Sequence, residues 1–224
     1  MSIKLTAQSG GSVALDAPTQ TTSSADVAFK LPVADGSAGQ VLMTDGSGNL
    51  SWVTPATTNG ITMAQQWRIT TNFSVSTSDG DTVLDSNGQW ESVDTDGYGT
   101  LGSNLTQSNG VFTFPSTGIY LISALGNPES KWPEAATTDI WGIFMRINTT
   151  TDGTNYSAAA ICQAFIEQPA TKLTSMNTHF IFDVTSTSTH KFRISVESEV
   201  DSTTFKGDSS KTETGFSVIR LGDT

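Results

Sequence analysis

The sequence predicts an all-β protein: a sandwich or barrel behind a thin N-terminal segment. Two observations carry this. The polar residues are mainly Ser, Thr, Asn and Gly rather than charged ones, since only 15% of the 224 residues are charged. Such residues make turns and solvate strand faces, and they weaken helix interiors. In addition, short alternating apolar segments recur at close spacing, with no long stretch rich together in Ala, Leu, Glu and Lys.

The elements follow in chain order. Residues 1–60 carry sparse apolar bursts, Val13–Leu15, Val27–Phe29, Val41–Met43 and Leu50–Val53, separated by Asp35-Gly36, Asp45-Gly46 and Gly48-Asn49. Such dipeptides favour tight hairpin turns because they tolerate positive φ. One copy of this segment buries too little to fold as a thin monomer. It is therefore either disordered or an arm that shares a core with other copies, and Phe29, Leu42 and Trp52 are the candidate core residues. The stretch Thr54–Gly60 reads as a junction.

From Ile61 to Thr224 the pattern gives about eight to ten strands. Trp67–Val75 opens the series, and Gly88–Val93 reads as a short edge strand. Gly97–Gly110 and residues 126–138 read as loops. Val111–Phe114, Gly118–Ala124, Ile140–Asn148, Tyr156–Glu167 and Thr178–Val184 follow as strands. Lys191–Glu197 alternates cleanly, and Thr214–Leu221 closes the chain.

The net charge of −11, from 22 acidic and 11 basic residues, excludes several partners. The bases are dispersed, so no basic stripe exists to displace counterions from nucleic acid or to meet an anionic membrane. Met1–Lys4 leads into a polar stretch rather than the apolar core of a signal peptide. No apolar run reaches the length of a membrane span. Cys162, the only cysteine, cannot form an intrachain disulfide and reads as a small buried hydrophobe.

Catalytic signatures are absent: there is no Gly-x-Ser-x-Gly, zinc-protease, phosphate-loop or dinucleotide motif. His179 and His190 have no marked partner. Asp79, Asp81 and Asp85 cluster on one turn and Asp94 and Asp96 on another. Solvated loop carboxylates are the ordinary reading, and calcium at Asp94 and Asp96 is the alternative, since calcium takes several hard oxygens on a turn. No cofactor is otherwise expected. Tyr98, Trp132 and Phe205 fall in segments read as loops, where an exposed ring could stack on a sugar or a surface protein.

Two resemblances sharpen this reading. Trp90, Asp96 and Leu101, followed by Phe112, Gly118 and Tyr120, are similar to the signature of C1q and tumour-necrosis-factor-like domains. Trp90 stands for the usual Phe, Ile122 and Ala124 depart from the pattern, and the gap between Leu101 and Phe112 is four residues longer than in the family. Gly215–Leu221 resembles the family's closing strand. The likeness covers about 61–224. It implies a jelly roll that trimerises around an apolar axis, with binding rather than catalysis as its role. On that expectation Tyr120, Ile219 and Leu221 join the candidate trimer core.

Leu31–Leu42 together with Thr44–Trp52 resembles a segment of bacteriophage tail-fibre and virion proteins, marine ones especially. That likeness implies a homotrimeric virion fibre or decoration protein. Residues 1–60 would attach to a tail or capsid protein, and the head would face a host-surface glycan or protein. The alternative is a non-viral, lectin-like, adhesion or signalling protein with a C1q domain.

Overall fold

The computed structural model describes residues 3–6, 9–15, 18–21, 24–55, 60–85, 88–130, 140–167 and 172–224. The chain forms two units, Met1–Thr57 and Thr58–Thr224. Strands are the regular structure of both, and among the described residues no helix is long and apolar enough to cross a membrane.

The first unit holds two antiparallel hairpins. β1 (Ile3–Thr6) pairs with β2 (Ser12–Leu15), and β3 (Val41–Thr44) pairs with β4 (Leu50–Val53). The second hairpin turns at Asp45, whose Oδ1 accepts the Ser47 N–H at 2.8 Å while its Oδ2 accepts from Asn49 Nδ2 at 2.6 Å. A short acidic side chain bonding its own backbone is what makes Asp-Gly a turn signal. Asp35-Gly36, expected to make a similar turn, instead lies beside Trp52, whose indole N–H donates to the Ala34 carbonyl at 3.1 Å.

The second unit begins with β5 (Met63–Ile69), β6 (Phe73–Val75), β7 (Thr82–Val83), β8 (Trp90–Ser92), β9 (Thr106–Ser108) and β10 (Val111–Thr113). β11 (Gly118–Gly126), β12 (Pro128–Ser130), β13 (Ile140–Thr150), β14 (Ser157–Glu167) and β15 (Lys172–Leu173) follow. β16 (Met176–Val184), β17 (Lys191–Ser198), β18 (Thr203–Phe205) and β19 (Gly215–Gly222) complete it. Two of the expected loops therefore contain strands. β9 lies inside 97–110 because Asn109-Gly110, both at positive φ, turn the chain straight back into β10. β12 lies inside 126–138, and residues 131–139, Trp132 among them, fall outside the described residues.

One sheet runs β16-β11-β19-β5-β8 and the facing sheet runs β14-β13-β17-β10-β9, with β7 also on β17. A smaller sheet runs β15-β12-β18-β6. The first long strand pairs with the last, β5 with β19. Moving inward along the chain, β10 pairs with β17, β11 with β16 and β13 with β14. A long antiparallel hairpin wound across two sheets in this way is a jelly roll. The C-terminal strand becomes central, between β5 and β11, because the winding brings both ends together.

The core lies between the two sheets. Phe112 and Phe192 face each other across β10 and β17, with ring centroids 5.1 Å apart. Phe216 meets Phe112 edge-on at 4.6 Å, and Trp90 and Trp67 meet it at 5.4 and 5.3 Å. Edge-to-face rings add to the area term because the positive rim of one meets the negative face of the next. Gly118 of the motif has a φ of 145°, and a Cβ there would lie 2.6 Å from the Gly222 carbonyl oxygen. Glycine is therefore required where β11 starts beside the end of β19.

Candidate functional site

Side chains alternate between faces along a strand. In the β16-β11-β19-β5 sheet, Phe182, Tyr120, Ile122, Val218 and Phe216 point into the core and are buried. Their neighbours point outward. Ile181 lies opposite Leu121, Leu121 opposite Ile219, and Ile219 opposite Ala64. An unbroken apolar row thus crosses four strands on the outer face. Ile181 is 58% exposed; Leu101, bridged to Ala64 by paired backbone hydrogen bonds of 3.1 and 3.0 Å, and Leu221 also lie open at this surface. The next outward row, His179, Ser123, Ser217 and Gln66, is polar and borders the patch.

A second apolar surface adjoins it. β14 is an edge strand that packs beside β16, and it leaves Ile161 and Phe165 exposed while Ala160, Cys162 and Ala164 turn inward against the core. Burial pushes the Cys162 thiol pKa up, and its S–H lies 3.7 Å from the Met145 carbonyl. Since only the thiolate is nucleophilic, Cys162 is expected to react with iodoacetamide at pH 8 several-fold more slowly than free cysteine. A rate equal to that of the free amino acid would contradict this.

The candidate residues separate sharply. Ile219 and Leu221 lie on or beside the apolar row, and Ile181, Leu121 and Ala64 join them although the sequence reading did not single them out. Tyr120 does not: it is fully buried within one chain, and its hydroxyl donates to the Ser116 carbonyl at 2.9 Å. Its position in β11 aims it at the core, one residue out of phase with the outward Leu121. Phe205 is likewise no loop aromatic. It lies on β18, fully buried, because Pro128 and Phe73 flank it in register. In the first unit Phe29 is 65% exposed, and Leu42 and Trp52, a cross-strand pair, are also exposed.

Tyr98 is half-buried, and its hydroxyl accepts the Gln66 N–H at 2.7 Å. It borders a cavity of about 350 Å³ lined also by Arg68, Thr95, Lys211 and Thr212. Arg68 points to the outer face yet is fully buried, because the 94–96 and 208–212 segments cover it. Its Nε donates to Glu91 at 2.6 Å and its Nη2 to Asp94 at 2.9 Å. Asp94 is thus engaged by a guanidinium rather than poised for calcium, while Asp96 is exposed at positive φ. Among the described residues no group of three or more His, Cys, Asp or Glu side chains could hold a metal ion.

No family model matches the chain, and no curated protein matches its sequence. Solved structures do resemble it. Murine APRIL at pH 8.5 is 12% identical over 71% of this chain and 98% of its own, with a TM-score of 0.45. The murine APRIL structure at pH 5.0 has a TM-score of 0.47 at 11% identity. The Eiger TNF of S. frugiperda is 13% identical over 72% of this chain and 94% of its own, also with a TM-score of 0.47.

Proposed function

We propose that the chain is a non-enzymatic attachment module that assembles as a homotrimer through the outer face of the β16-β11-β19-β5 sheet. The apolar row Ile181–Leu121–Ile219–Ala64 is the observation that carries this. Apolar area left in water costs about 25 cal/mol per Å², and large contiguous patches on a protein surface mark interaction sites. The row and the Ile161–Phe165 surface belong to different sheets and face different ways. A contact of one surface with the other, repeated by rotation, closes into a ring rather than a two-fold dimer. Three is the closure that the C1q-like resemblance implies.

In the finer reading this trimer is a bacteriophage fibre or decoration protein, attached by residues 1–60 to a tail or capsid protein. The head would then meet a host-surface glycan or protein. The Leu31–Trp52 resemblance supports it, as does the exposure of Phe29, Leu42 and Trp52 in a unit that offers them little cover. Packed against the same residues of two other copies, they would gain the core that one copy lacks. A second reading, a non-viral adhesion or signalling protein, is supported by the jelly-roll winding of the head alone. Mass spectrometry of purified virions separates the two: the chain is present in the particle under the first and absent under the second.

Light scattering of the full chain should give three times 23.7 kDa. Removing residues 1–57 should leave a trimeric head. A head that runs as a monomer would move the assembly role to the N-terminal unit, and a full chain that is monomeric at micromolar concentration would remove the trimer altogether.

A further inference from the structure

We propose that a second surface of the head, on the outer face of β9, β10 and β17, binds a carboxylated saccharide. The inference rests on the reading of the head as an attachment module and names a ligand class for it. The site is a cavity of about 400 Å³ whose lining includes Thr106, Ser108, Thr113, Tyr156 and Lys191. It lies on the β17-β10-β9 side of the sheet opposite the apolar row, with β13 between it and the β14 edge that carries Ile161 and Phe165.

Charge is the first argument. In a chain with twice as many acids as bases, the described bases of the head are mostly ion-paired, as Arg68, Arg146, Lys206, Lys211 and Arg220 are, with the exposed Lys172 an exception. Lys191 and Arg193 are not: among the described residues neither has a carboxylate within ion-pair distance. Two residues apart on β17, they share its outward face. Arg193 stacks on Tyr156, its guanidinium carbon 4.3 Å from the ring centroid, and its Nε is buried with no hydrogen-bond partner among the described residues. Asp152, whose charge reaches Tyr156, is held by its own turn. It accepts from the Asn155 N–H at 2.7 Å, from Asn155 Nδ2 at 2.6 Å and from the Thr154 N–H at 2.8 Å.

Shape and lining supply the rest. Thr113 lies opposite both Lys191 and Thr106, so a row of two hydroxyls leads across the sheet from the ammonium. Hydroxyls that both donate and accept suit the hydroxyls of a sugar. The half-buried Tyr156 ring forms a wall on which the C–H face of a pyranose can lie. Lys191 then takes the carboxylate as a point charge, and Arg193 behind the ring adds to the positive field. The volume falls within the range of small-ligand sites.

The test is calorimetry of the full chain with trigalacturonate and with a neutral galactose trisaccharide. The acidic probe should bind at least ten-fold more tightly, with affinity falling as salt rises. Lys191→Glu and Tyr156→Ala should each weaken it ten-fold or more, Lys191→Arg should retain it, and the mass of the assembly should be unchanged in all three. Equal binding of the neutral probe, full binding by Lys191→Glu, or no binding of trigalacturonate at millimolar concentration would overturn the proposal. The trimer mass and virion tests read the attachment role separately, so either idea can fail while the other stands.

Discussion

Ile181→Asp is expected to turn the assembly into a monomer of 23.7 kDa. Ile181 ends the apolar row on β16, and at 58% exposed it contributes little to its own chain's core. Replacing it should leave the fold intact, so the circular dichroism spectrum should not change. In a closed assembly the same position is covered by a neighbour. An isolated carboxylate there loses its water without gaining a partner, at a cost of several kcal/mol per site. Each protomer carries one such site, so the penalty recurs at every interface of the ring, and at micromolar concentration the trimer should not form. Leu173→Asp is the control: Leu173 is 67% exposed, more open than Ile181, but sits on β15 in the smaller sheet. It should keep the trimer mass. If both variants stay trimeric, or both dissociate, the outer sheet face is not the interface.

The second large effect belongs to the core. Phe112→Ala is expected to destabilise the head by about 3–5 kcal/mol, as large-to-small aromatic changes in cores do. Phe112 is fully buried and touches the rings of Trp67, Trp90, Phe192 and Phe216, so the space it leaves is bounded by rigid groups that cannot collapse into it. For a domain of this size the loss corresponds to a fall of roughly 6–20 °C in unfolding midpoint. It is best measured in the Ile181→Asp background, where assembly no longer adds to apparent stability. A loss below about 1 kcal/mol would mean that the ring cluster repacks around the gap.

The all-β class, the order of the longer strands and the shared face of Phe192, Ile194 and Val196 were legible from period and composition. These are local properties. Alternation sets which residues share a face, and Asp45-Gly46 marked a turn that formed, while Asp35-Gly36 marked one that did not. The motif around Gly118 also pointed to the winding, and its physical basis is visible in the close approach of β11 and β19.

What the sequence could not decide was which of two alternating faces looks inward. Tyr120 and Leu121 are adjacent and both apolar in body, yet one is sealed in the core and the other joins an outer row. Only the pairing of β11 with β16 and β19 settles that, because a sheet face is defined by its neighbours. Phe205 was misread for a related reason: a short segment rich in Thr, Lys and Gly looks like a loop until β12 and β6 are found flanking it. Arg68 shows the same limit with charge. Its bonds to Glu91 and Asp94 reach 23 and 26 residues along the chain and its cover includes the 208–212 segment, and its outward position on β5 would otherwise place it in water. The sequence by itself determined the periodicities, the turns and the charge balance of this protein. The tertiary structure alone decided which apolar residues are left over for a partner, because burial is a property of long-range pairing and not of any one strand.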